Sequence, residues 1–400
     1  MRTETSPPWC GLRAARLAAL ALALLAPAPL PAQEPSSADL IRRRDELLEM
    51  HRRDPVARSA LAQEISKIET VLGHRALNEQ RPEEAIDRYR SALLHFEGQE
   101  HARAGLVAAL LKTEQVDYAL SEALAGVAGH PGSADLHALH GEVLYRLNRL
   151  DEATAAWRRS LEIRPDPELR ERLARTDLEQ QKTGAFRTSE APHFTLQYDG
   201  EKLTPAVEDG IITVLEEGFD EYVRVLDHLP DATITVILYT RQAFRDITEA
   251  PSLVEGLFDG KVRLPMGGLS HLTPGARATI RHELAHAFIH SKTRGAAPRW
   301  LHEGIAQWLE PRSAGAYGAA LAREASRRAP GTAVPFSYPA ALSQVEYLVQ
   351  TYGAHDVVEL LTHLREGKNL DIALRETFRV DIPGLQAEWS QWLARTHGGS

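Results

Sequence analysis

His282-Glu283-Leu284-Ala285-His286 reads H-E-L-A-H, and its reading decides the fold of the C-terminal half. Two histidines four residues apart stand one turn apart on the same face of an α-helix. Both imidazoles then reach one ion, and Zn²⁺ accepts neutral imidazole at about 2.0–2.1 Å. Glu283 falls beside that ion, where a carboxylate serves as general base toward water. His290 continues the spacing, but eight residues of helix rise roughly 12 Å. Three ligands at about 2 Å cannot span that distance, which excludes His290.

A third ligand is expected from the stretch that follows. Pro298 at a helix start, then Trp300, Leu301, Ile305, Trp308 and Leu309, predict a second amphipathic helix. A short loop through Gly295 folds it back antiparallel on the first, and Gly304 allows close approach. Glu303 is then the expected ligand. Two histidines and one glutamate leave a fourth position open to water, the catalytic rather than the structural pattern.

H-E-x-x-H followed by W-L-x-E-G-x-A at Trp300–Ala306 resembles the gluzincin metallopeptidases, in particular the peptidase MA-like domains of bacterial proteins. The resemblance implies one Zn²⁺ ion on His282, His286 and Glu303, with Glu283 as base. One departure stands out: many relatives carry an acidic residue four places after the ligand glutamate, where this chain has Gln307. An amide there would orient His282 more weakly than a carboxylate. Relatives in the wider group use a downstream Tyr or His to stabilise the oxyanion. Tyr338 is the expected donor, with Tyr317, Tyr347 and His355 as alternatives.

The chain begins with Arg13 and Arg16 before an apolar run, Leu17 to Ala26, and a small residue at Ala32. This pattern predicts a secretory signal peptide over 1–32, cut near Ala32. The run is about half of the ~20 residues needed to span a bilayer. The sole cysteine, Cys10, precedes the run, so lipidation and disulfides are not expected. Of the net −9, the removed segment holds Arg2, Arg13, Arg16 and Glu4, a net of +2, leaving −11. An acidic exported chain without a basic tract is a poor partner for nucleic acid or an anionic membrane. The expected location is the periplasm or outside the cell, with no stable membrane insertion after cleavage. About 370 residues with 43% apolar content suffice for two cores.

Residues 33–182 read as helix throughout, with a period of 34. Ala85, Ala119 and Ala153 recur at that spacing, as do Tyr89, Ala123 and Trp157, and Glu97, Pro131 and Pro165. Gly73 and Gly141 stand twelve before their alanines, and Val107 takes that place in the middle unit. The pattern resembles tetratricopeptide repeats, three of them over roughly 66–167, with capping helices on either side. Such an array implies a surface for a peptide or protein partner, or a spacer with no ligand of its own.

Residues 183–192 are polar and read as a linker. The domain expected over 193–396 opens with a strand at 193–198, a helix at 206–226, a strand at 232–239 and a short helix at 241–247. A hairpin or edge strand at 256–265 follows. Its stretch Leu257–Leu264 could take an extended substrate as an added strand. Thr273 and Pro274 fit the N-cap and first position of the metal-bearing helix. A cleft-mouth loop is expected within 312–335, helical structure over 337–364, and terminal helices at 372–378 and 385–394.

The fold expected is therefore multidomain: an all-α tetratricopeptide-repeat solenoid, then an α+β zincin-like metallopeptidase domain. The function expected is zinc-dependent hydrolysis of protein or peptide substrates. Two alternatives share the residues: a repeat-led interaction scaffold with a weakly active domain, and a zinc amidase acting on a non-peptide cell-envelope substrate.

Overall fold

A computed structural model describes residues 35–248, 256–310, 313–328, 331–332 and 334–397. The signal peptide expected over 1–32 lies outside these. The chain divides into two compact units, with the division between Gln180 and Gln181. No helix among the described residues is long and apolar enough to cross a membrane.

The N-terminal unit is helical: α1 (Ser37–Arg53), α2 (Arg58–Asn78), α3 (Pro82–His95), α4 (Glu100–Lys112), α5 (Val116–Gly129), α6 (Ala134–Arg146), α7 (Leu150–Ile163) and α8 (Pro167–Thr183). From α1 to α7 each helix packs on the next in sequence. Side chains set the starts locally. Ser36 and Asp39 close a capping box on α1, and Ser133 accepts the Leu136 amide at α6. Of the positions recurring every 34 residues, six fall on α3, α5 and α7 and are buried there: Ala85, Tyr89, Ala119, Ala123, Ala153 and Trp157. Glu97, Pro131 and Pro165 follow those helices and are exposed.

The turns before these helices share one conformation. Gln80, Glu114 and Asn148 have φ of 61°, 60° and 58°. The following amides of Arg81, Gln115 and Arg149 donate to the carbonyls of Ala76, Leu110 and Leu144 at 2.8–2.9 Å. A left-handed residue costs about 1–2 kcal/mol unless it is Gly or a short polar residue, so the helix contacts on either side must hold Gln80 and Glu114 there. Large rings fill the gaps where glycines bring helices together. A methyl at Gly73 or Gly105 would overlap the Tyr89 ring, and one at Gly141 the Trp157 ring. In the middle unit Gly105, two residues before Val107, supplies this close approach.

His74 lies beside that junction, 5.4 Å edge-on to Tyr89, with Nε2 buried and without a hydrogen-bond partner. Burial, and then the neighbouring His101, lower its pKa from 6.5 to about 4. The unfolded imidazole takes its proton near pH 6.5 and the folded one only near pH 4. Between those values the unfolded chain binds more protons, so stability falls as pH drops through that window and is unaffected above it. The loss is on the order of 3 kcal/mol. Urea unfolding at pH 7 and pH 5 should show a larger drop in midpoint for wild type than for His74→Leu. Equal drops would remove His74 as a cause.

The C-terminal unit combines a sheet with helices. Its elements are β1 (Arg187–Glu190), β2 (Phe194–Tyr198), α9 (Pro205–Leu226), β3 (Ile234–Thr240), α10 (Arg241–Thr248), β4 (Leu257–Phe258), β5 (Val262–Gly267), α11 (Pro274–Thr293) and α12 (Arg299–Leu309). A 3₁₀ turn (Gly315–Tyr317), α13 (Gly318–Ser326), α14 (Tyr338–Thr351), α15 (Ala354–Arg365), α16 (Leu370–Phe378) and α17 (Ile382–His397) complete it. The sheet order is β1-β2-β3-β5-β4. β2, β3 and β5 run parallel, and β1 and β4 pair antiparallel at the two edges. Val236, Leu238, Val262 and Leu264 from β3 and β5 join Phe219, Leu284, Phe288, Leu301, Ile305 and Trp389 from the helices in one core.

Two expectations are corrected. Residues 187–190 are not linker but strand, since their backbone pairs fully with β2. Only Leu257–Phe258 forms the edge. Val262–Leu264 lies inside the sheet, because its fully buried Val262 and Leu264 complete the core between β3 and β4. The helical stretch expected over 337–364 forms as α14 and α15, separated at Gly353, whose φ of +107° no helix accommodates. Within 312–335 the 3₁₀ turn and α13 cover Gly315–Ser326, and residues 334–335 are without helix or strand.

Candidate metal centre

α11 begins as its residues dictate. Thr273 accepts the Ala276 amide, and Pro274 occupies the first turn. α9 packs across it, with Gly218 against Leu284 and the Tyr222 hydroxyl donating to the Arg281 carbonyl at 3.1 Å. The helix ends in two left-handed residues, Arg294 and Gly295, and the Gly295 amide returns to the His290 carbonyl at 2.9 Å. That turn lets α12 fold back onto α11. On its other side α12 meets α14 through Gly304, where a methyl would overlap the Ala341 carbonyl.

This packing brings His282, His286 and Glu303 together. One ligand atom from each lies within 4.8 Å of the others, a group able to hold a metal ion. Glu303 Oε2 stands 3.8 Å from His282 Nε2 and 3.5 Å from His286 Nε2. The two imidazoles are nearly perpendicular, at 84° with centroids 4.7 Å apart. His286 and Glu303 are buried, while the His282 side chain keeps 17% of its surface open. His290 is outside the group and packs edge-on to Phe258.

Glu283 is buried beside the group, with the Gly256 backbone so close that a Cβ there would lie 2.5 Å from its Cγ. Burial raises the Glu283 pKa, against the pull of His286 and His282. Burial would also raise that of Glu303, but His286 and His282 hold its carboxyl well below the usual range. His282 is the reverse case. Burial would lower its pKa, yet Glu303, Glu310 and Glu283 raise it to about 10. Three buried carboxylates around two imidazoles form an anionic pocket that calls for a cation. Two nitrogens and a carboxylate oxygen are a donor set suited to zinc.

Two neighbours were not singled out from sequence. His302 Nδ1 lies 2.8 Å from His286 Nδ1, the rings stacked at 17°. Glu310 Oε2 stands 3.2 Å from His282 Nδ1, close in distance without the alignment of a full hydrogen bond. Gln307, at the place where relatives are acidic, faces elsewhere. Its amide donates to the carbonyls of Glu303 and Tyr338, both at 3.1 Å. The carboxylate beside His282 therefore comes seven residues after Glu303, not four. The helical period places 303, 307 and 310 on one face, which is the signal that could have found Glu310.

Tyr338 opens α14 with its side chain partly exposed and its ring 5.5 Å from Phe336. Tyr317 is also exposed. The Tyr347 hydroxyl donates to Glu388 at 2.7 Å, in a cluster with Tyr352, a packing role that removes it as an oxyanion donor. His355 lies exposed in the first turn of α15.

No curated protein matches the chain. Residues 268–395 match the family model described as the Peptidase MA superfamily, a span that takes in both helices of the metal-binding group and supports a zincin-like peptidase domain in this part of the chain.

Proposed function

We propose that the protein is an exported zinc-dependent peptidase whose helical arm, a run of tetratricopeptide-like repeats, recruits the substrate or a partner protein. The observation that carries the reading is the convergence of His282 Nε2, His286 Nε2 and Glu303 Oε2 beside a buried Glu283. Zinc, when bound, polarises a carbonyl oxygen and makes water acidic near neutral pH. His282, His286 and Glu303 would hold it, and the His282 side chain is the one of the three that keeps contact with solvent. Glu283 takes the proton from the attacking water and passes it to the leaving nitrogen as the C–N bond breaks. Its raised proton affinity suits both halves of that task. Tyr338, at the start of the helix packed on α12, is the proposed donor to the developing oxyanion. Export rests on the charged and apolar pattern of residues 1–32.

The test is zinc content of purified protein alongside hydrolysis of unfolded casein, with and without a chelator. One zinc per chain and hydrolysis lost to chelation and restored by zinc are expected. Zinc without hydrolysis would favour the scaffold reading.

A further inference from the structure

We propose that His302 and Glu310 are positioning residues for the metal ligands, one behind each imidazole. The proposal rests on the reading of His282, His286 and Glu303 as a metal centre.

Two imidazole nitrogens 2.8 Å apart must share one hydrogen. A ligating imidazole presents one nitrogen lone pair to the metal and keeps its proton on the other. His286 Nε2 faces Glu303, so its proton belongs on Nδ1 and is donated to His302. His302 then accepts through Nδ1 and carries its own hydrogen on Nε2. The rings lie nearly parallel, 17° apart, which fixes the plane of the pair as well as its axis. His282 has Nε2 toward Glu303 and Nδ1 3.2 Å from a carboxylate oxygen of Glu310, a close approach short of hydrogen-bond alignment.

The supports differ in kind. A carboxylate behind His282 makes that ring a stronger donor to a cation, while a neutral imidazole behind His286 fixes orientation without adding charge. Both supports sit on or just past α12, the helix that also carries Glu303. One element thus supplies the third ligand and braces the other two. Gln307, on the same helix, joins α12 to the start of α14 through the Tyr338 carbonyl.

The experiment is competition for zinc against a chromophoric chelator, using full-length wild type, His302→Leu, His302→Gln, Glu310→Ala and Glu310→Gln, with the melting temperature of each metal-free protein. Partners of ligating histidines are worth about 10- to 100-fold in metal affinity. His302→Leu and Glu310→Ala should each weaken zinc binding by about that factor, Glu310→Ala the more. The Gln variants keep an acceptor and should recover part of the loss, while metal-free melting temperatures stay near wild type. Wild-type affinity in both His302→Leu and Glu310→Ala overturns the proposal and leaves the metal centre standing. Equal losses in the Gln and non-polar variants, with a parallel fall in metal-free melting temperature, mark plain packing and also overturn it. A wild-type protein that takes up no zinc overturns the metal centre itself, and the proposal with it.

Discussion

Glu303→Ala is expected to purify folded and without zinc. The carboxylate is the only oxygen donor in the group and lies within 4 Å of both ligand nitrogens. Its removal leaves two imidazoles and should cost more than the ~100-fold that even a strong supporting partner is worth. The fold should survive, because α12 is held by Leu301, Ile305 and the Gly304 contact, none of which involves the carboxylate. Zinc measured by mass spectrometry on matched wild-type and variant samples decides the matter. Stoichiometric zinc in Glu303→Ala would remove this residue from the centre and leave the third ligand unassigned.

Glu283→Gln should separate binding from turnover. The amide has nearly the shape of the carboxylate, so it fits beneath Gly256, and it takes no part in the metal-binding group. Zinc content is therefore expected to match wild type. Catalysis should fall by about 10²- to 10⁴-fold, the usual contribution of a positioned general base, or roughly 3–5 kcal/mol of barrier. Turnover of a casein-derived peptide, followed at saturating substrate, gives the comparison. A Glu283→Gln protein as fast as wild type would sink the assigned role.

Much of the C-terminal unit is legible because local chemistry and long-range packing agree. Thr273 and Pro274 announce the start of α11, and Gly295 its end. The spacing 282, 286 and the apolar face around Glu303 suffice to bring three side chains toward one point. The supporting residues are harder to see. Neighbours on a helix point about 100° apart, so His302 carries no mark from standing beside Glu303, and only the fold of α12 onto α11 sets its ring against His286. The break at Gly353 is hidden for another reason: apolar residues continue at helical spacing on both sides of it. In the N-terminal unit the apolar positions of the 34-residue period mark buried residues. The period does not reveal the shared left-handed turns, since Gln80 and Glu114 have no preference for them and only Asn148 does.

The contact of Gly304 on the Ala341 carbonyl bears on how the protein can change over time. Most buried side chains are placed by the volumes of their neighbours, so drift in a core shifts them by tenths of an ångström. Here Gly304 meets the Ala341 carbonyl, with the Val345 side chain beside it, so the height of the adjacent Glu303 is set in part by main-chain atoms that every substitution leaves in place. Aliphatic residues around α12 and α14 other than Val345 can exchange with less effect on the position of the carboxylate. The chemistry is thereby insulated from the slow turnover of the surrounding core, at the expense of a single position that must remain glycine.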